Sequence, residues 1–252
     1  MEFSLPEIHE ISVDVDGRQF DGSWYVVLQD MIVNYNGFTA STNGCPSNAD
    51  EVAKGMLRQL VAAHYVRPES IPAGLPPSVR EAAHRYINES LEESQAASFV
   101  ASFGKAERGA LLHRQLSWMC VNALAMIVPA WKYMCDGNAA EETYLDLRQW
   151  LGDPSHPVDW KSATTPAVAT RDGLRVGDCD ACRLEPIASA VAHTARYLQS
   201  ADPADATESL ESADEAYDEG CHSRGAPDRF SKWLVFDVLP RALACRPIEA
   251  LG

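Results

Sequence analysis

The run Leu116–Trp131, LSWMCVNALAMIVPAW, decides the fold of this chain. Wound as a helix, it is apolar on every side. Such a helix is either a membrane span or the buried centre of a globular domain. A span needs about 20 consecutive apolar residues; this run is shorter, contains Asn122 and meets Pro129 before its end. It therefore predicts a buried central helix, with no membrane partner. Trp118 and Leu124, six positions apart, point about 120° away from each other at about 100° per residue. Both are buried only where other helices surround this one.

Working outward, the surrounding helices follow from spacing and punctuation. Ser78 with Glu81 signals a helix start, and the pattern runs to about Phe103. The central helix extends from about Lys105 to Pro129. Asn138 with Glu141 opens a third helix, where Tyr144, Leu147, Arg148 and Leu151 share a face. Pro186 suits the first turn of a fourth, carrying Ile187, Ala190, Val191 and Leu198. The stretch 202–220 is the fifth. Pro227 or Asp228 opens a sixth, with Phe230, Leu234, Val235 and Val238 facing inward. Residues 152–185 have few periodic apolars and hold three prolines by Pro166, which predicts an irregular excursion.

The N-terminal quarter reads differently. Ile8, Ile11, Val13 and Val15 precede Asp16-Gly17, a hairpin signal. A second strand is expected at 23–29, SWYVVLQ, and a third at 31–40, MIVNYNGFTA, with Asn36-Gly37 marking a turn or bulge. Ala49–His64 then reads as a helix packed on the sheet, with Val52, Met56, Leu60 and Val61 at helical spacing and Asn48/Glu51 resembling a capping box. Four prolines and a glycine in Val66–Pro77 mark a linker. The expected fold is α+β, predominantly α: a small β-β-β-α unit (1–66), a proline-rich linker (67–77), and a bundle of about six helices (78–252) interrupted at 152–185. With 252 residues and 46% hydrophobic composition, the chain can bury such cores.

Charge bounds the function. The formal net charge is −15, and DPADATESLESADEAYDEG at Asp202–Gly220 supplies eight acidic residues and no basic one. On a helix, Ala206, Leu210, Ala213 and Tyr217 form a narrow docking face. Asp205, Glu208, Glu211, Asp214, Glu215, Asp218 and Glu219 fall on the other side and predict an unbroken anionic surface. A surface of one sign steers cationic partners and repels nucleic acid, so no nucleic-acid partner is expected. The same run also fits a solvated face that only maintains solubility.

Chemistry is sparsely marked. Seven cysteines, an odd number, in a chain of this size suit reduced thiols and a cytoplasmic location better than a disulfide framework; MEFSLPEIHEISV carries no signal-peptide pattern. Cys179 and Cys182 form a single CxxC. Cys221 and His222 are adjacent and poorly disposed to share a metal. No HExxH, GxSxG, phosphate loop or GxGxxG is present. His193, beside Ala192 and Ala195, reads as a packed, hydrogen-bonded residue. Glu92-Glu93 and Glu141-Glu142 are consecutive, so they do not face each other. No catalytic residue, cofactor or metal ligand is expected.

The segment His113–Asp153 resembles the Imm5-type immunity proteins of bacterial polymorphic toxin systems. The shared features are an RQLxxW start (Arg114, Gln115, Leu116, Trp118), Cys120 in a helix of small and apolar residues, an acidic break at Asp136, and Trp150-Leu151-Gly152. Ala192-His193-Thr194-Ala195-Arg196 is similar to that family's Ala-His-Ala-Ala-Arg stretch. This chain departs from the pattern at Trp131-Lys132, where the family tends to be acidic, at Glu142-Thr143, where it has Arg-Pro, and at the apparent insertion 154–185. The resemblance covers about two thirds of the chain, from residue 78 onward, and is silent on residues 1–70. It implies a helical cytoplasmic protein that binds and neutralises a cognate toxin without chemistry, its partner bearing a basic surface. The alternatives are a metal- or thiol-dependent enzyme using Cys179, Cys182 and nearby histidines, and a helical adaptor whose N-terminal unit meets another partner. Oligomeric state is left open.

Overall fold

The structure, a computed structural model, describes residues 6–89, 95–134, 137–167, 180–220 and 229–248; at residue 133 and residues 180–183 only the backbone is described. The fold is α+β and mostly α. The chain divides into two compact units, residues 1–70 with 88–93, and residues 71–87 with 94–252.

The smaller unit is a four-stranded antiparallel meander, β1 His9–Val15, β2 Arg18–Val27, β3 Asp30–Tyr35 and β4 Phe38–Thr42, in sequential order. Helix α1, Ala49–His64, covers one face. Ile11, Val13, Trp24, Met31, Val33 and Tyr35 from the sheet meet Ala53, Leu57, Leu60 and Val61 from the helix. The other face carries Glu10, Ser12 and Asp14 of β1, exposed to water by the two-residue period of a strand. Gly22 lets α1 approach: a Cβ there would lie 2.7 Å from the Asn34 carbonyl oxygen and 2.8 Å from Leu57 Cδ1. Asp50 accepts the Trp24 indole N–H at 3.1 Å, and Asn88 bonds both the N–H (2.8 Å) and the carbonyl (2.9 Å) of Val66.

Four strands replace the expected three. Asn36-Gly37, with φ of 48° and 79°, is a hairpin turn that splits MIVNYNGFTA into β3 and β4. The first half of β2 went unread because Arg18, Gln19 and Asp21 interrupt the apolar alternation.

The larger unit holds α2 Pro77–Asn88 (to Ile87), α3 Gln95–Ala101, α4 Leu111–Met134, α5 Ala139–Gly152, α6 Trp160–Ala163, α7 Asp180–Ser200, α8 Pro203–Asp218, α9 Phe230–Trp233, a π-helical turn Leu234–Val238, and α10 Leu239–Leu243. At its centre, residues 116–128 of α4 are all buried, flanked by α5, α7, α8 and α10. Trp118 and Leu124 are 3% and 0% exposed, so the helix is surrounded. α4 is long and apolar enough to cross a membrane by length and composition, yet most of its apolar window is buried within the unit. Two of its buried polar side chains are tied to backbone elsewhere: Asn122 donates to the Arg246 carbonyl (2.9 Å) and accepts from the Ile248 N–H (2.9 Å). His113 accepts from the Gly109 N–H at 3.0 Å and lies 3.2 Å from the Tyr197 carbonyl. That pairing places its proton on Nε2.

Several boundaries differ from expectation. Pro129 does not end α4, and Pro186 sits inside α7, not in its first turn. Each proline removes one N–H bond, and the buried apolar faces on either side hold the helix together. The single helix expected over 78–103 is two helices, with residues 90–94 outside the described set. Asn48 and Asn138 cap α1 and α5 through position only, since neither side chain bonds a backbone N–H. The 152–185 stretch contains α6 and the start of α7. Pro227 and Asp228 lie outside the described residues; α9 is described from Phe230.

Candidate functional site

The acidic helix α8 begins where the sequence sets it. Ala201 turns the chain with φ of 58°. The Asp202 carboxylate accepts the Ala204 N–H at 3.0 Å, and Pro203 occupies the first turn. The helix then folds back along α7. Its inner face is wider than the four residues expected: Ala206, Ser209, Leu210, Ser212, Ala213, Ala216 and Tyr217 are all buried. Small side chains allow close approach of the two helices. Hydroxyls join them, with Thr194 and Ser209 2.7 Å apart and Ser212 donating to Ser189 at 3.0 Å. Ser209 also bonds the Cys120 thiol, but burial dominates and pushes that thiol up to about 12. Cys120 is thus a packing residue, not a nucleophile.

Around α8 at about 100° per residue, Glu208, Glu211, Glu215, Asp218 and Glu219 fall within an arc of about 100°. All five are exposed. Asp205 and Asp214 lie at the two margins of that arc, and the structure turns both inward. This corrects the unbroken seven-carboxylate face expected from sequence. Asp205 lies 3.2 Å from His193 Nδ1 and accepts from the Ser200 hydroxyl at 3.1 Å. Its side chain and that of His193 are both 20% exposed. His193 is therefore the hydrogen-bonded helix residue that its surroundings indicated.

Asp214 is more deeply placed. Burial, then the neighbouring Asp218 carboxylate, pushes it up to about 7, against the lowering influence of Arg229. Asp218, exposed yet partly desolvated, is raised as well. Tyr86 of α2 is raised well above the usual phenol range by burial and then by Asp214, Glu211 and Asp218. Its hydroxyl is buried with no hydrogen-bond partner among the described residues. The C-terminal half of α8 therefore holds a concentrated negative potential, partly in low dielectric.

The alternative chemistry gains no geometry. Cys179, Cys221 and His222 lie outside the described residues, as does the Cys182 side chain. Glu92 and Glu93 lie outside them too; Glu141 pairs with Lys132 at 3.8 Å. Among the described residues, no three His, Cys, Asp or Glu side chains gather as a metal site. Sequence reasoning missed the His193–Asp205 pair. The Ala201-Asp202-Pro203 break was its signal, because a tight antiparallel return brings the end of α7 beside the start of α8. Comparisons with protein families, curated proteins and solved structures return no match.

Proposed function

We propose that this chain is a non-enzymatic immunity protein that binds a cognate bacterial toxin, with Glu208, Glu211, Glu215, Asp218 and Glu219 of α8 facing a basic surface on that toxin. One observation carries the reading: five carboxylates gather on one exposed face of α8, at spacings where like charges oppose a helix. Glu208/Glu211, Glu211/Glu215, Glu215/Asp218 and Glu215/Glu219 are like-charged neighbours at spacings of three or four, each unfavourable by roughly 0.2–0.5 kcal/mol. Asp218 and Glu219 also sit at the negative end of the helix dipole, with no basic residue in the last turn. A face that serves only solubility has no need of that placement; a face that meets cations does. The resemblance of residues 113–153 and 192–196 to immunity proteins supports the same assignment. A toxin acting on nucleic acid carries a basic active-site surface, and the stripe competes for it as phosphates do.

The test is association kinetics against the product of the neighbouring toxin gene, with cell protection as a second readout. Glu208→Gln/Glu211→Gln/Glu215→Gln should slow association about tenfold or more at low salt, with the difference closing as salt screens the native charges. Asp205 stays unchanged in this variant because of its bond to His193. Unaltered association and full protection would assign the stripe to solubility alone.

A further inference from the structure

Where α7 turns into α8, an open groove of about 750 Å³ lies between Arg108, Trp150, Trp160, Thr164, Arg196 and Gln199, with Asp205 at its margin. We infer that this groove is a binding site for a small planar anion, an aromatic or heteroaromatic ring carrying a carboxylate or phosphate. The inference is independent of the toxin-binding reading.

The two indoles supply the planar part. Trp150 of α5 and Trp160 of α6 meet edge to face, with centroids 5.1 Å apart and planes at 89°. Both are half-buried, so each keeps ring surface for a third flat group to pack on at the usual aromatic spacings. Two guanidiniums supply the anion contact. Arg196 donates Nε–H to the Thr164 carbonyl at 3.0 Å, and Thr164 is itself tied back to α6 through its hydroxyl on the Trp160 carbonyl at 2.8 Å. That bond fixes the plane of Arg196 and leaves its terminal N–H groups for a carboxylate or phosphate. Arg108, exposed in the segment before α4, has no ion-pair partner among the described residues, and neither has Arg196.

In a chain of net charge −15, the groove gathers two arginines at one aromatic pair with a single carboxylate at its margin. The one carboxylate at the groove, Asp205, is hydrogen-bonded to Ser200 and close to His193 and forms no ion pair with either arginine. An anion from outside would complete a site that already has a stacking surface and a fixed guanidinium.

Isothermal titration of the full chain with 1-naphthoate and with adenosine 5′-monophosphate tests this. 1-Naphthylmethanol, adenosine and inorganic phosphate serve as controls that lack one half of the chemistry. At least one of the two anionic rings should bind about tenfold or more tightly than its uncharged counterpart and than phosphate, the difference a charge-assisted bidentate contact makes. Whichever binds tells an aromatic carboxylate from a nucleotide. Arg196→Gln and Arg108→Gln should each be checked for unchanged thermal melting; Arg108 is exposed, so its variant folds even where the other is perturbed. Weakened binding in either correctly folded variant supports the site. Binding retained in both, equal binding of charged and uncharged rings, or no binding of either anion at millimolar concentration overturns it.

Discussion

Helices α4 and α8 lie in one unit and touch each other, yet they are stabilised in opposite ways. α4 is buried on every side over residues 116–128 and contributes by removing apolar surface from water. α8 buries one face of mostly small residues, joined to α7 by hydroxyl pairs, and holds five carboxylates together in water on the other. The first helix is a design for stability. The second gives up local stability to maintain a charged surface, and its neighbours hold it in place. Substitutions that act on folding and substitutions that act on recognition should therefore separate cleanly between them.

The largest effect on folding is expected in α4. Leu124 is fully buried with neighbours on all sides, so Leu124→Ala should cost about 2–5 kcal/mol, the range for a core leucine and its cavity. Denaturant unfolding measures it. A loss within about 0.5 kcal/mol, as for a surface site, would make α4 peripheral and dissolve the contrast.

The next effect lies at the boundary between the two modes, at Asp214. A carboxyl raised from 3.8 to about 7 in the folded state keeps its proton longer there than in the unfolded chain. Stability is then fully present below pH 3.8 and falls as pH rises toward 7. The fall should amount to roughly 1–3 kcal/mol over that window, less than the ~1.4 kcal/mol per unit ceiling because Asp214 keeps some solvent contact. Asp218, raised in the same direction, adds to it. Asp214→Asn should flatten the profile and be the more stable protein at pH 8. Parallel profiles for the two proteins would show that Asp214 titrates normally.

A smaller effect is expected where α8 meets α7. Ser209→Ala leaves the buried Thr194 hydroxyl without the partner it has at 2.7 Å, at a cost of about 1–2 kcal/mol, whereas Thr194→Val/Ser209→Ala removes both groups and should recover most of it. Additive losses in the double variant would mean that the two hydroxyls do not act as a pair.

These contrasts also mark what the sequence could say. α4 was legible because composition alone identifies a helix apolar on every side, and α1 because Val52, Met56, Leu60 and Val61 keep a helical spacing over a strong β pattern. The turn between β2 and β3 was not legible as a hairpin, since Leu28 and Gln29 carry its positive φ values of 52° and 83° where glycine or asparagine is the usual sign. The acidic stripe was visible as charge, but its limits were not. Whether Asp205 and Asp214 face water depends on His193, Ser200 and Arg229, which approach from other elements. The aromatic groove was invisible for the same reason: Trp150 and Trp160 belong to different helices, and neither carries a local motif.

The smallest effect on folding is expected on the stripe itself, and its sign is the informative part. Glu208, Glu211 and Glu215 are exposed on α8 and repel one another along the helix. Replacing any one by glutamine removes like-charge contacts worth roughly 0.2–0.5 kcal/mol each. Single variants should therefore be as stable as the native protein or a few tenths of a kcal/mol more so, at low salt. The gain should shrink as the Debye length falls to about 8 Å at physiological ionic strength. The same substitutions are the ones expected to slow capture of a basic partner, so stability and association should move in opposite directions. If the glutamine variants prove less stable than the native protein at low salt, the carboxylates are supporting the fold through cationic neighbours. The stripe would then be a structural ion network, and the sharp division between a helix for folding and a helix for recognition would fail at that point.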